Sequence, residues 1–201
     1  ITEFAADQVN LPDGGSTTGS IVANELTSGD WSGNFEFAIN IENKTQEVIG
    51  EDITLTSDNL ATYGIATTGD VEIPEYVTDS DGTKHKVVGV GSRAFYKCTS
   101  LTSITIPDSV TSIGRGAFDC CSGLNSITIP NSVTSIEESV FAECKNLTNI
   151  TIPEGITGIG KNAFYYCSAL TSITIPDSVT SVGRTAFQGC RKIEQVSYSN
   201  N

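Results

Sequence analysis

The chain has 201 residues, of which 38% are hydrophobic, so it is long enough to bury a continuous core. No apolar run reaches the roughly 18 to 20 residues of a membrane-spanning helix, which argues against insertion into a membrane. The net charge is −13, and residues 1–98 hold 16 acidic and 5 basic side chains. Binding to nucleic acid is therefore not expected, because the phosphate backbone needs clustered Lys and Arg.

The first 60 residues lack a long period. Residues 1–20 are rich in Gly, Ser, Thr and Asp, which predicts a linker or poorly structured lead-in. From Phe35 to Glu42 apolar and polar residues alternate as in a half-buried strand, and Val48-Ile49 and Ile53–Leu55 predict further short strands. Such a module is too small to be stable alone. We expect residues 1–60 to form a lead-in and a small β cap on the domain that follows.

From about residue 61 the sequence repeats every 23 residues. Five positions recur at this spacing: an opening apolar residue, a second apolar residue three positions later, a proline, a phenylalanine and a cysteine. A fixed period of about 20 to 30 residues is typical of a solenoid. The columns are Leu101, Leu124, Leu147, Leu170 and Ile193; Ile104, Ile127, Ile150, Ile173 and Val196; Pro107, Pro130, Pro153 and Pro176; Phe95, Phe118, Phe141, Phe164 and Phe187; Cys98, Cys121, Cys144, Cys167 and Cys190.

Each repeat predicts one coil. Ile104 and Ile106 alternate with polar residues as in a strand, which Pro107 ends because proline has no N–H for the ladder. Val110 and Ile113 predict a second extended segment, followed by a turn. We therefore predict a mainly β solenoid of five to six coils over residues 61–201, with a parallel sheet on one face.

One repeat is longer than the others. Pro74 lies 33 residues before Pro107, ten more than the period, and Asp81-Gly82 within the extra segment predicts a hairpin turn. Asp79 to Gly82 resembles the start of a calcium loop, but the Glu expected near the end of such a loop is missing. No metal is predicted there.

The motif L-x-x-I-x-I-P-x-x-V-x-x-I-G-x-x-A-F-x-x-C, from Leu101 to Cys121 and in the later copies, resembles the BspA-like leucine-rich repeat family of bacterial surface proteins. The resemblance implies a secreted or surface-displayed protein that adheres to host matrix or to other microbes, without shared catalytic residues. Glu137 in place of glycine and Ser139-Val140 depart from the motif. Because the chain begins without Met and has no signal-like apolar segment, we expect a mature or trimmed chain from which any targeting segment has been removed.

The cysteines and the single histidine give little sign of chemistry. One cysteine per coil at the inward phase favours a column of buried free thiols, with Cys120 facing outward or sideways. Disulfides are a lesser alternative, and zinc lacks its paired C-x₂-C spacing. His85 lies among lysines, away from a nucleophile and a carboxylate. Glu137-Glu138 has no apolar pocket to raise a pKa. We expect neither catalysis nor a cofactor.

The outward positions of the first strand form two uncharged columns. They are typical of solvent-facing strands, and they are also our candidate binding face, because solenoid sheets serve as extended recognition surfaces. Trp31, Tyr76 and His85 are rival contact points. The columns are Ser103, Ser126, Asn149, Ser172 and Gln195, and Thr105, Thr128, Thr151, Thr174 and Ser197.

The sequence thus predicts a non-catalytic, extracellular or cell-surface interaction module that binds a protein or glycan of a host or neighbouring cell. A structural stalk that presents another domain is the alternative from a different class. An enzyme with a site at the cap junction is a remote third. The sequence names neither the ligand nor the oligomeric state.

Overall fold

The computed structural model describes residues 49–198, apart from the side chains of Gln195, Ser197 and Tyr198, together with the backbone of two strands near the N-terminus. The chain divides into two compact units, Ile1–Lys44 and Thr45–Asn201. The boundary at residue 60 and the cap stay predictions. Trp31 and the strands predicted at 35–42 and Val48 lie outside the described residues.

In the first unit, β1 (Phe4–Asn10) and β2 (Ser16–Ile21) pair antiparallel, with an irregularity between Ala6 and Val9. The prediction of an unstructured lead-in over residues 1–20 was therefore wrong for these segments. Composition was a poor guide because backbone pairing, which needs no apolar side chains, makes the hairpin. The Asp13-Gly14 pair between the strands was a hairpin signal.

The described part of the second unit has thirteen short strands, which short turns connect. They are β3 (Ile53–Leu55), β4 (Gly69–Glu72), β5 (Tyr76–Thr78), β6 (Lys84–Val90), β7 (Leu101–Thr105), β8 (Ser112–Ile113), β9 (Ser126–Thr128), β10 (Ser135–Ile136), β11 (Asn149–Thr151), β12 (Gly158–Ile159), β13 (Ser172–Ile175), β14 (Ser181–Val182) and β15 (Gln195–Tyr198).

All of these strands except β5 stack in parallel on two faces of a solenoid, which confirms the predicted fold class. Face A consists of β4, β7, β9, β11, β13 and β15, and face B consists of β3, β6, β8, β10, β12 and β14. The 23-residue register is direct, since Ser103 pairs with Ser126 and Asn149 with Ser172. We call residues 101–123, 124–146, 147–169 and 170–192 coils 1 to 4.

A third side of each coil is a hydrogen-bonded turn that also stacks on the next coil. The N–H of Phe118 donates to the carbonyl of Val140 at 2.9 Å, and that of Phe141 to Ala163 at 2.9 Å. The turn predicted after the second extended segment is thus present in each of these coils. No helix in the described part of the chain is long and apolar enough to cross a membrane.

The core is a single column of apolar layers. Phe95, Phe118, Phe141 and Phe164 are fully buried, and their rings stack with centroids 5.3 to 5.8 Å apart. Full burial of a phenylalanine stabilises a fold by about 1.5 to 3 kcal/mol, and offset stacking adds to that. The repeated Phe column therefore holds the coils in register.

The insertion in the long repeat is the predicted hairpin. β5 pairs antiparallel with β6, with Val77 opposite His85, and Gly82 in the connecting turn has φ of 83°. A positive φ is easy only for glycine, so Asp81-Gly82 sets the turn. β6 then continues into face B, where it lies between β3 and β8.

Candidate functional site

The outward threonines of face A carry hydroxyl groups that are free to bind a ligand. Thr105, Thr128, Thr151 and Thr174 are all exposed. Within the described residues none of their side chains makes a hydrogen bond to the protein. Each hydroxyl can both donate and accept, so the column offers a regular array of neutral polar groups.

The neighbouring column is partly occupied by contacts within the chain. Ser103 Oγ donates to Asp70 Oδ1 at 2.7 Å, and Asn149 Nδ2 donates to Thr148 Oγ1 at 3.3 Å. Ser126 and Ser172 are exposed. The side chains of Gln195 and Ser197, at the end of the two columns, are not among those that the structure describes.

Face A becomes acidic at its first strand. Asp70 pairs with Ser103 in the β4–β7 register, and Glu72 pairs with Thr105. Asp70 also accepts a hydrogen bond from Thr102 Oγ1 at 2.6 Å, and this bond, with that from Ser103, lowers the pKa of the Asp70 carboxyl. The uncharged array therefore begins at coil 1.

Beside face B runs another threonine column, in which three of the four hydroxyls donate to the preceding coil. Thr111 Oγ1 donates to the carbonyl of Val88, Thr157 Oγ1 to Thr134, and Thr180 Oγ1 to Thr157, at 3.1 to 3.3 Å. Thr171 Oγ1, next to face A, makes the same kind of bond to the carbonyl of Thr148 at 3.3 Å. The outward column of Thr105, Thr128, Thr151 and Thr174 differs from these threonines because it makes no such bond within the described residues. That column stays our candidate binding face.

Of the rival contact points, Tyr76 and His85 both lie on the hairpin. Tyr76 is 36% exposed, and Lys84 Nζ lies 4.5 Å from its ring centroid, within cation–π range. His85 Nε2 lies 3.1 Å from Asp79 Oδ2, and Nδ1 lies 2.9 Å from the carbonyl oxygen of Glu51. Since both partners are acceptors, the ring satisfies them together only as the imidazolium, and the hydrogen bond to Asp79 raises the pKa of His85. The hairpin histidine is held in place by the chain itself.

The cysteine column lies inside the solenoid, as the repeat phase predicted. Cys121, Cys144 and Cys167 are buried, Cys98 and Cys190 are half-buried, and all six cysteines are free thiols in the structure. Each thiol from Cys121 onward donates to a carbonyl of the preceding coil; Cys121 Sγ lies 3.0 Å from the oxygen of Phe95. Burial raises the pKa of Cys121 to about 12. These are packing residues.

Cys120 lies half-buried beside that column, with φ of 63° and its Sγ 3.4 Å from Asp119 Oδ1. Burial and the Asp119 carboxylate raise the pKa of Cys120 to about 11, so it is not an activated nucleophile. Across residues 49–198 no group of three His, Cys, Asp or Glu side chains is placed to hold a metal ion.

The acidic pair at 137–138 takes part in structure. Glu138 Oε1 lies 3.4 Å from Arg115 Nη2 and 3.8 Å from Lys161 Nζ, so it bridges coils 1 and 3. Glu137 Oε1 accepts from Ser135 Oγ at 2.7 Å. Both carboxylates are therefore held by contacts within the chain.

One feature was missed from the sequence. A cleft of about 260 Å³ opens on face A between the ends of β9 and β11, lined on its polar side by Asp108, Thr128, Asn131 and Thr151. Asp108 and Asn131 follow the strand-ending prolines, so the sequence placed them in a corner with no apparent role. The departures of coils 2 and 3 from the repeat were the only signal.

Known proteins confirm the family and place this chain among bacterial repeat proteins. Residues 83–201 match the BspA type leucine rich repeat region, in six copies. A search of curated proteins returned no match.

Three solved structures are similar to this chain. A leucine-rich repeat protein from Bacteroides ovatus is 40% identical, with a TM-score of 0.60, over 64% of this chain and 33% of its own. A leucine rich cell surface protein from Faecalibacterium prausnitzii is 36% identical, with a TM-score of 0.57, over 63% of this chain and 38% of its own. The T. pallidum leucine rich repeat protein is 34% identical, with a TM-score of 0.59, over 65% of this chain and 59% of its own.

The chain therefore spans less than two thirds of the length of each of these relatives. Repeat solenoids of this kind generally serve as interaction modules without catalysis. Given the 23-residue columns, the two parallel ladders and a match over more than half of its length, the chain belongs to the BspA type leucine-rich repeat family.

Proposed function

We propose that this protein is a non-catalytic interaction module, secreted or displayed at the cell surface, which adheres through face A to an extracellular protein or glycan of a host or neighbouring cell. The observation that carries the proposal is the contrast between the two threonine columns. Three hydroxyls of the column beside face B donate to the preceding coil, whereas those of Thr105, Thr128, Thr151 and Thr174 make no hydrogen bond to the described chain.

The charge and shape of face A fit a neutral partner surface. From coil 1 to coil 4 the outward columns of face A contain only Ser, Thr and Asn. Each coil contributes one residue to each column. A long, flat array of weak contacts gains affinity through many simultaneous contacts. The charged residues Asp70 and Glu72 at one end would repel an acidic partner such as nucleic acid.

The extracellular setting is supported by the relatives. The protein from Faecalibacterium prausnitzii is described as a leucine rich cell surface protein, and this chain is 36% identical to it over 63% of its length. The hydroxyl-rich surface is suited to a solvated environment outside the cell. An enzyme is disfavoured because the one histidine is occupied on both ring nitrogens.

Binding to an immobilised panel of matrix proteins and glycans tests the proposal. The variant carrying Thr128→Lys and Thr151→Lys places two long cations on face A and should abolish binding to any partner found. The matched control carries Thr157→Lys and Thr180→Lys on face B, at exposed threonines of the same coils or their neighbours. Equal binding by both variants, or a blank across the whole panel, would point to the stalk instead.

A further inference from the structure

Coil 2 pairs with a different neighbouring coil on each face of the solenoid. On face A, its strand β9 pairs with β7 of coil 1 and not with β11 of coil 3. On face B, its strand β10 pairs with β12 of coil 3 and not with β8 of coil 1. The distance from Thr148 N to Asn125 O is 3.4 Å, compared with 2.8 Å from Asn125 N to Thr102 O. Coil 2 is therefore tilted against its neighbours.

Glu137 accounts for the tilt. At this position the coils approach closely: a Cβ on Gly114 would lie 2.6 Å from Ser92 N, and one on Gly160 would lie 2.6 Å from the carbonyl carbon of Glu137. Glu137 carries a real Cβ at the same register, so β10 is held away from β8. The turns still stack, with Phe118 N 2.9 Å from Val140 O, and they act as the pivot. Opening face B towards coil 1 then opens face A towards coil 3.

Gly155 removes a second contact between coils 2 and 3, a hydrogen bond from a corner serine. Ser132 Oγ donates to Val110 O at 2.5 Å and Ser178 Oγ donates to Ile156 O at 2.7 Å, so a corner serine ties its coil to the preceding one. Coil 3 has Gly155 at this position and no hydroxyl to donate. Coils 2 and 3 therefore lack the serine bond at the corner as well as the strand pairing on face A.

The separation creates the cleft of about 260 Å³, slightly below the range of about 300 to 1,000 Å³ for small-molecule pockets. Its polar lining comes from the Asp108 carboxylate, the Asn131 amide and the hydroxyls of Thr128 and Thr151, and none of these side chains has a hydrogen-bond partner in the described chain. The rest is apolar and includes the rings of Pro130 and Pro153. No basic side chain lines the cleft, so it does not suit an anion.

We propose that this cleft binds one sugar ring of a neutral glycan. A pyranose presents hydroxyl groups that both donate and accept, which a carboxylate, an amide and two hydroxyls can match, and an apolar C–H face that can pack on proline rings. The cleft opens onto face A beside Thr128 and Thr151, so a longer glycan can continue along the threonine column. The inference rests on the proposed function of face A and gives it a ligand class.

Titration of the full chain with methyl α-mannoside, methyl β-galactoside, glucose and N-acetylglucosamine, followed by saturation-transfer NMR, tests the proposal. We expect about millimolar binding of at least one of these sugars. Asp108→Ala combined with Asn131→Ala should weaken that binding at least tenfold, because it removes hydrogen bonds to a charged and a neutral group. Thr174→Val, in the same column but outside the cleft, is the control and should bind as the parent does.

Glu137→Gly provides a test that leaves the lining intact. It should allow coil 2 to stack on coil 1 and so narrow the cleft, and sugar binding should fall with no lining residue changed. Absence of binding to all four sugars, or binding that the Asp108 and Asn131 changes leave unaltered, overturns the glycan site. If a matrix protein still binds through Thr128 and Thr151 in that case, the function proposed for face A survives and only the sugar site is lost.

Discussion

The ring of Phe141 lies nearly parallel to that of Phe118, at 4°, with the centroids 5.8 Å apart, the longest of the four steps in the phenylalanine stack. This step joins coils 1 and 2, the two coils whose strands β8 and β10 do not pair. Coil 2 is therefore held to coil 1 by the aromatic column, the turns and the β7–β9 pairing on face A, without strand pairing on face B. Its stability thus depends in part on the phenylalanine stack.

Phe141→Ala should lower the free energy of unfolding by about 3 to 5 kcal/mol, since Phe141 is fully buried and the space it leaves cannot collapse between stacked coils. Urea unfolding followed by circular dichroism measures the change. Phe187→Ala, at the half-buried end of the same column, is the control and should cost less. Equal costs at the two positions would contradict the dependence of coil 2 on the stack.

The interrupted ladder should appear in hydrogen exchange. The amides of Thr157 and Gly160 donate to Thr134 and Ile136 at 3.0 and 2.7 Å, but the equivalent amides of Thr134 and Glu137 have no such partner in coil 1. We expect the amides of Thr134 and Glu137 to exchange faster than those of Thr157 and Gly160.

Glu137→Gly should slow the exchange of Thr134 by restoring its bond to coil 1, and it is the matched variant for this experiment. Exchange at Thr134 that is as slow as at Thr157 in the parent protein would show that the two coils are paired in solution. In that case the tilt of coil 2 would be wrong.

The repeat columns predicted most of this fold because each column has one physical role. Ile104 and its equivalents alternate inward, Pro107 ends a strand, and Phe118 and Cys121 fill the core, so period and residue type together specify a coil. The Asp81-Gly82 hairpin followed from local turn chemistry for the same reason. These features depend on neighbours in sequence or on one repeat length.

The cleft could not be predicted in that way. Glu137 was visible as a departure from glycine, but its effect depends on a backbone approach of under 3 Å between coils, which only the stack shows. The two threonine columns are alike in sequence, and only the structure separates hydroxyls that donate to a carbonyl, such as Thr157, from those that do not, such as Thr128. Availability of a polar group is a tertiary property.

The hydroxyl of Ser109 allows a test of the hydrogen bond that a corner serine makes to the preceding coil. Its Oγ is buried and is the one such side-chain atom in the described residues without a hydrogen-bond partner. The equivalent Ser132 donates to Val110 O at 2.5 Å. An unsatisfied buried hydroxyl costs about 1 to 3 kcal/mol, so Ser109→Ala should raise stability by about 1 kcal/mol.

Ser132→Ala is the control and should lower stability by about 1 kcal/mol, because it removes a hydrogen bond that is made. Thermal or urea unfolding of the two variants measures the difference in sign. Loss of stability in both would mean that the hydroxyl of Ser109 is satisfied in solution.

The contacts of the His85 ring with Asp79 and Glu51 should make the free energy of unfolding depend on pH in two ranges, one set by His85 and one by Asp79. The hydrogen bond that His85 donates to Asp79 raises the pKa of His85 above its ordinary 6.5, so the contribution of the imidazolium is fully present below pH 6.5 and is lost as pH rises through the raised pKa. The hydrogen bond from His85 lowers the pKa of Asp79, so the contribution of that carboxylate is present above its ordinary 3.8 and is lost as pH falls through the lowered pKa.

NMR titration of the imidazole measures the first window directly, since His85 is the only histidine. Its pKa should lie above 6.5 in the parent protein and fall towards 6.5 in Asp79→Asn, which removes the carboxylate but keeps the shape. A pKa of His85 at or below 6.5 in the parent protein would show that Asp79 and Glu51 do not hold the ring in solution.

The buried thiols should not react with a thiol reagent in the folded protein and should react once the protein is unfolded. Cys144 Sγ lies 3.3 Å from the carbonyl oxygen of Phe118, and burial raises the pKa of Cys144 well above its ordinary 9.0, so almost no thiolate is present near pH 8. We expect an aromatic disulfide reagent to leave Cys121, Cys144 and Cys167 unmodified in native protein and to modify all six cysteines in denaturant. Cys144→Ala is the control: it should lower the count in denaturant by one and leave the native count unchanged. No reactive thiol after unfolding would mean that the cysteines are oxidised, and native modification of Cys144 would mean that the coils open on the timescale of the reaction.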